Sequence, residues 1–258
     1  MIKIEGIEIE QKRFPDGTLH AEFPRISFAS PYVYIDWLYE NDAELFTLIC
    51  ARNHYAGKKV RLYMPYVPHA RMDRVKNDKD VFTLKYFCQT INSLNFDSVT
   101  IHDPHSNVAP ALLNNVSVLT PERDVKDVIQ RLKKEDLVMF YPDDGAMKRY
   151  EGMLDLPYAY GIKKRNWETG RIESLEVANG NIIEGKPVLI VDDICSYGGT
   201  FARASKVLKR LGASEIYLYV THCENNILKG DIFKENIIDK VFTTKSIFTE
   251  EHEKIAVL

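Results

Sequence analysis

An α/β fold of two tandem halves, each a mostly parallel sheet flanked by helices, is predicted by three observations. Short apolar, β-branched runs alternate with helical-period segments of about 10–15 residues, the pattern of strand–helix–strand crossovers. Four polar loops follow directly on four of those runs, and open parallel sheets bind ligands at the carboxyl ends of their strands. A polar link near Thr120–Asp124 divides the chain into an expected 1–120 half and an expected 121–258 half, both of ordinary domain size.

Residues 1–30 read as two or three short strands around Phe14-Pro15-Asp16-Gly17-Thr18, where Asp-Gly marks a tight turn. Helical periodicity then runs from Asp36 to Tyr55 through Leu38, Leu45, Leu48 and Ile49, with Gly57 as its stop. Val60–Tyr63 is a strand that enters the proline-bearing, charged segment from Met64 to Arg74. A helix from about Thr83 to Leu94, a strand at Ser98–Ile101 and the loop His102-Asp103-Pro104-His105-Ser106 follow. Next come a helix at Val125–Leu132, a strand at Leu137–Tyr141 and the loop Pro142-Asp143-Asp144-Gly145-Ala146. Tyr158–Ile162 is a strand leading into a charged, apolar-poor stretch from Lys163 to Asn181, expected as a mobile cationic lid headed by Lys163-Lys164-Arg165. Strands at Ile216–Val220 and Lys240–Thr243 close the pattern.

The most informative stretch lies between those last elements. Val188 to Val191 is an apolar run of buried-strand type, and Asp192 and Asp193 sit where it ends. The loop Ser196-Tyr197-Gly198-Gly199-Thr200 follows. Phe201, Ala204, Val207, Leu208 and Leu211 then recur at helical spacing up to Gly212. The paired glycines therefore fall at a helix N-terminus, where backbone N–H groups and the dipole favour an anion. Carboxylates beside such a cradle suit a sugar phosphate, with Asp192 and Asp193 accepting from ribose hydroxyls or holding metal. The competing reading is an ordinary strand–helix turn capped by aspartates.

Composition narrows the function classes. The 258-residue chain is 45% hydrophobic with a net charge of −3, enough apolar content for a core and no basic excess of the kind nucleic-acid binding requires. No apolar run reaches the roughly 20 residues that cross a bilayer. Cys50, Cys88, Cys195 and Cys223 form no CxxC pair and read as reduced thiols of a cytoplasmic protein. There is no Walker loop, so a nucleoside triphosphate would need other cations. Arg71 and Arg74 can grip phosphate bidentately or stand as a solvated pair. His102, Asp103 and His105 offer too few soft ligands for zinc but suit magnesium, which keeps water and phosphate oxygens; a plain capping turn is the alternative. Asp143 and Asp144 could hold metal or sugar, or make an Asp-Gly turn.

Read together and in order, Phe14-Pro15-Asp16-Gly17, Pro65-Tyr66 with Ala70 to Arg74, Asp103-Pro104-His105, Pro142 to Gly145, Lys163 to Arg165 and Asp192 to Thr200 resemble the ribose-phosphate diphosphokinase family. The resemblance covers roughly residues 12–247 and implies two phosphoribosyltransferase-like halves, the first contacting ATP and the second binding ribose phosphate. It implies transfer of the β,γ-diphosphate of Mg-ATP to the C1 hydroxyl of ribose 5-phosphate, with release of AMP. By that resemblance Phe14, Asp16, Arg71, Asp73 and Arg74 serve ATP, with Phe14 and Asp16 lent to a neighbouring subunit of a homo-oligomer. His105 and Asp143 would hold Mg²⁺, and Lys163, Arg165 and His105 would be catalytic. Asp192, Asp193 and Ser196, Tyr197, Gly198, Gly199 and Thr200 would bind ribose and its phosphate. The chain departs from the family pattern at Thr18, Met72, Pro104, Ser196, Tyr197 and Gly198. Tyr197 and the extra glycine imply a reshaped acceptor end that could admit the terminal ribose of ADP-ribose, for nucleotide or NAD synthesis. A phosphoribosyltransferase that consumes PRPP and a non-catalytic homologue are the other expectations.

Overall fold

The computed structural model describes residues 1–165, 172–233 and 237–258, with side chains described outside 163–175. The chain divides into two compact units, Met1–Thr120 and Pro121–Leu258.

In the first unit β1 (Ile2–Ile4), β2 (Ile7–Glu8), the small hairpin β3 (Lys12–Arg13) and β4 (Leu19–His20), and β5 (Tyr32–Trp37) come first. Then α1 (Glu44–His54), β6 (Lys59–Tyr63), α2 (Thr83–Ser93), β7 (Ser98–His102), α3 (Val108–Leu112) and β8 (Val116–Leu119) follow. The sheet order is β2-β1-β5-β6-β7-β8, parallel from β5 onward and antiparallel at β1 and β2. Because β5 to β8 advance in one direction, right-handed crossovers put their helices on one face. Burial follows: Val33, Ile35, Trp37, Val60 and Leu62 enter one core with Leu48, Leu84 and Ile91, while Tyr34 stays exposed on the other face.

The second unit contains α4 (Glu122–Leu132), β9 (Val138–Tyr141), α5 (Asp144–Tyr150), β10 (Tyr158–Arg165), β11 (Ile172–Ala178) and β12 (Val188–Cys195). Then come α6 (Gly199–Arg210), β13 (Ile216–Cys223), β14 (Lys240–Thr243) and β15 (Ile255–Val257). The sheet order is β11-β10-β9-β12-β13-β14-β15, and every pair except β10–β11 is parallel. The chain runs one way from β9 to β10 and the other way from β12 onward, so helices cover both faces. Phe201, Ala204 and Leu208 of α6 pack on Val138, Phe140, Val188, Ile190 and Leu218, while Val125, Val128 and Met147 pack beneath Met139, Leu189, Val191 and Tyr219. That double burial explains why β12 opens with four consecutive apolar residues, whereas β5 alternates.

Three expectations need correcting. The helix expected from Asp36 begins only at Glu44, because Val33, Ile35 and Trp37 carry a period of two and place Asp36 in β5. The stretch from Lys163 to Asn181 is not simply a polar lid: β10 extends through Arg165 and pairs antiparallel with β11. Ile172, Leu175 and Val177 supply that strand's apolar residues among glutamates, a mixed pattern suited to an edge strand. Lys163, Lys164 and Arg165 are strand residues by backbone, their side chains outside the described residues. Finally, the loop expected from Pro142 to Ala146 is cut short, because Asp143 caps α5 and the helix begins at Asp144.

Candidate functional site

The first unit gathers its polar residues where β6 and β7 end. The β6–α2 connection is long, yet Met64, Val67 and Ala70 are buried in the core, so the three-residue spacing that pins them leaves Arg71, Met72 and Arg74 at the surface. Asp73 is buried beneath them, and Arg74 Nε donates to its Oδ1 at 2.9 Å. Burial pushes the Asp73 carboxyl up, but hydrogen bonds from Arg74 and Ser106 and the charges of Arg74 and His105 bring it below the usual range. Asp73 thus ties the Arg71–Arg74 segment to the β7 loop that carries His105. In that loop Asp103 is buried with a φ of 40°. The β3–β4 hairpin presents Phe14, 51% exposed and stacked on His20 with centroids 5.0 Å apart. Asp16 is committed to its own turn, accepting from Thr18 N at 2.9 Å and from Thr18 Oγ1 at 2.7 Å, and those bonds lower its pKa.

In the second unit β9 and β12 are neighbours whose onward connections leave in opposite directions, the switch point at which such sheets hold ligands. Three carboxylates meet there. Asp143 N-caps α5, its Oδ1 accepting from Ala146 N at 3.0 Å. Asp193 is buried, with Arg149 Nη1 of α5 lying 3.3 Å from its Oδ1. Asp192 accepts from the Asp193 N–H at 3.0 Å. Burial, the neighbouring Asp193 and, more weakly, the charge of Asp143 push the Asp192 carboxyl well above its ordinary range.

The loop beyond them turns on Gly198, whose φ of 76° suits a residue without Cβ and which stands as the N-cap of α6. Gly198 has no side chain with which to cap that terminus, and the first N–H groups of a helix are donors suited to an anion or water. Ser196 Oγ donates to Glu224 Oε2 at 2.6 Å, and Tyr197 is 56% exposed. Gly230 lies hard against the loop: a Cβ there would overlap the Tyr197 carbonyl oxygen. Replacing Gly230 with alanine should therefore displace residues 196–200 and weaken binding of an anionic ligand at that loop at least ~10-fold. The protein should still fold, which circular dichroism on the same sample checks.

The structure thus brings Arg71, Asp73, Arg74 and His105 together in one unit, and Asp143, Asp192, Asp193 and the 196–200 loop together in the other. His105 and Asp143 fall in different units. The described side chains do not include Lys163 and Arg165. Three residues escaped sequence reasoning. Arg149 lies in the last turn of α5, a helix that the expected 142–146 loop hid, and Gly230 carries no local signal of its contact with Tyr197. Glu224 becomes visible only once Cys195 and Cys223 are paired in register, which places it beside the loop.

Fold and site together define a protein of the phosphoribosyltransferase-like α/β class: strand, paired carboxylates, glycine loop and helix at the carboxyl edge of a parallel sheet. The phosphoribosyl transferase domain family matches residues 126–254. The ribose-phosphate pyrophosphokinase of Thermococcus kodakarensis is 30% identical over 244 residues, covering 91% of this chain and 81% of that protein. That of Thermoplasma volcanium is 30% identical over 269 residues, covering 96% of this chain and 90% of that protein. The crystal structure of phosphoribosylpyrophosphate synthetase from Mycobacterium smegmatis shares the fold, with a TM-score of 0.77 at 18% identity over 97% of this chain and 85% of that one. The chain belongs to the ribose-phosphate pyrophosphokinase family and is an enzyme of that type.

Proposed function

We propose that this enzyme transfers the β,γ-diphosphate of ATP to the C1 hydroxyl of a ribosyl 5-phosphate, ribose 5-phosphate being the simplest acceptor, to give PRPP and AMP. The observation that carries the proposal is that Asp192 and Asp193 stand near the end of β12, with only the 196–198 turn between that strand and the N-terminus of α6. In the reaction the C1 oxygen bonds to the β-phosphorus, the bond from the β-phosphorus to the α,β-bridging oxygen breaks, AMP leaves with that oxygen, and the proton of the C1 hydroxyl passes to solvent. Asp192 and Asp193 accept from the ribose hydroxyls, and Arg149 orients Asp193. The 196–200 loop binds the 5-end. Arg71 and Arg74 neutralise the triphosphate, Asp73 positions them, and Phe14 and Asp16 contribute to the adenine site, in a homo-oligomer from a neighbouring subunit. Lys163 and Arg165 stabilise charge on the transferring group, since phosphoryl transfer is catalysed chiefly by positioning and electrostatics.

Among the described residues no group of three or more His, Cys, Asp or Glu is placed to hold a metal ion. Magnesium needs few protein ligands and takes the remainder from water and substrate phosphates. His105 and Asp143 would hold it, and when bound it would neutralise the phosphate oxygens. None of the described helices is long and apolar enough to cross a membrane, and all four cysteines are free thiols, in keeping with a place in the cytoplasm.

The test is incubation with Mg-ATP and a ribosyl 5-phosphate, following AMP. AMP should form in step with a C1-pyrophosphorylated product and stop on chelation of magnesium. Consumption of PRPP with a base and without ATP would place the chain instead among phosphoribosyltransferases.

A further inference from the structure

On the diphosphokinase reading, the acceptor end of the second unit carries a statement about the acceptor itself. Residues 196–200 include no lysine or arginine, so what the loop itself offers an anion is backbone N–H groups, hydroxyls and the α6 dipole. One of those hydroxyls is already committed. Ser196 has a single proton, and it is donated to Glu224 Oε2 at 2.6 Å; the same oxygen lies 3.3 Å from Asn226 Nδ2. The Glu224 backbone is fixed as well, its N–H donating to the Cys195 carbonyl at 2.8 Å at the end of a paired strand. A carboxylate is therefore built against the loop.

A terminal phosphate carries about −1.5 to −2 charges near neutral pH. It would lose the Ser196 donor and face the Glu224 carboxylate. A phosphate esterified on both sides carries one charge, which suits a loop with few donors. Tyr197, adjacent to Ser196 and 56% exposed, offers a ring face that a terminal phosphate cannot use but a planar base can. We infer that the preferred acceptor is a ribosyl group whose 5-phosphate is esterified onward to a base-bearing group, and that Glu224 and Tyr197 determine this preference.

The test follows AMP release from Mg-ATP with ribose 5-phosphate and with ADP-ribose as separate acceptors. The native enzyme should favour ADP-ribose by at least ~10-fold in kcat/KM. Glu224→Gln keeps an oxygen to accept from Ser196 but removes the charge, and should shift the ratio ~10-fold toward ribose 5-phosphate. Tyr197→Ala removes the ring and should shift it the same way, through KM for ADP-ribose rather than kcat. A native preference for ribose 5-phosphate, or variants that leave the ratio unchanged, overturns the inference. AMP release with either acceptor upholds the diphosphokinase reading whatever the preference; release with neither overturns both.

Discussion

Alanine at Arg71, or at His105, should lower the rate of AMP release at least ~10²-fold, the scale on which one electrostatic contact to a transition state acts. Arg71 is exposed on a loop anchored by the buried Met64, Val67 and Ala70, so its removal leaves their packing intact. His105 stands on the adjoining loop, linked electrostatically to Asp73. Arg61→Ala is the matched control. It removes a cation stacked 4.2 Å from the Tyr32 ring, on a sheet strand rather than in the site, and should leave turnover unchanged. Steady-state assays of the three variants separate the readings: an enzyme that only consumes PRPP has no nucleotide triphosphate to bind and would tolerate Arg71→Ala and His105→Ala alike.

Asp192→Asn should act on activity and stability in opposite directions. Removing an acceptor for the ribose hydroxyls should cost ~10²-fold or more in kcat/KM. Yet the folded protein holds this carboxyl above its ordinary value of 3.8, by burial first and then by Asp193. A raised carboxyl binds its proton more tightly in the folded state, so stability is greatest at low pH and falls as pH climbs from the ordinary value through the folded one. Above the ordinary value the buried carboxyl therefore weakens the fold, and asparagine relieves it. Tm should rise by about 2–4 °C for each kcal/mol relieved, and the gain should vanish near pH 4. Thermal melts of both proteins across pH check the sign; a neutral-pH Tm below native would contradict it.

How much of this was legible in the sequence depended on burial. β12 and β13 are covered on both faces, so their apolar runs stand out without any partner in view. The glycine loop was legible for a related reason, since a helix beginning at Gly199 leaves its periodicity in Phe201, Ala204 and Leu208. β5 was lost because Leu38 falls in step with the helix behind it, and β11 because its apolar residues alternate with charges on an edge strand. The site was legible where the chain is local, as in Asp192-Asp193 and Arg71 to Arg74. It was illegible where strand register makes the neighbour. Arg149 beside Asp193 and Glu224 beside Ser196 are separated by 44 and 28 residues in sequence, and only the parallel pairing of β9, β12 and β13 brings them close.

The central claim is that one intact diphosphate passes from ATP to the sugar. The direct measurement supplies ATP labelled at the γ-phosphorus together with magnesium and a ribosyl 5-phosphate, then separates the products. The label should appear in the C1-pyrophosphorylated sugar, with unlabelled AMP in equal amount. Label released as orthophosphate, with ADP in place of AMP, would contradict the account.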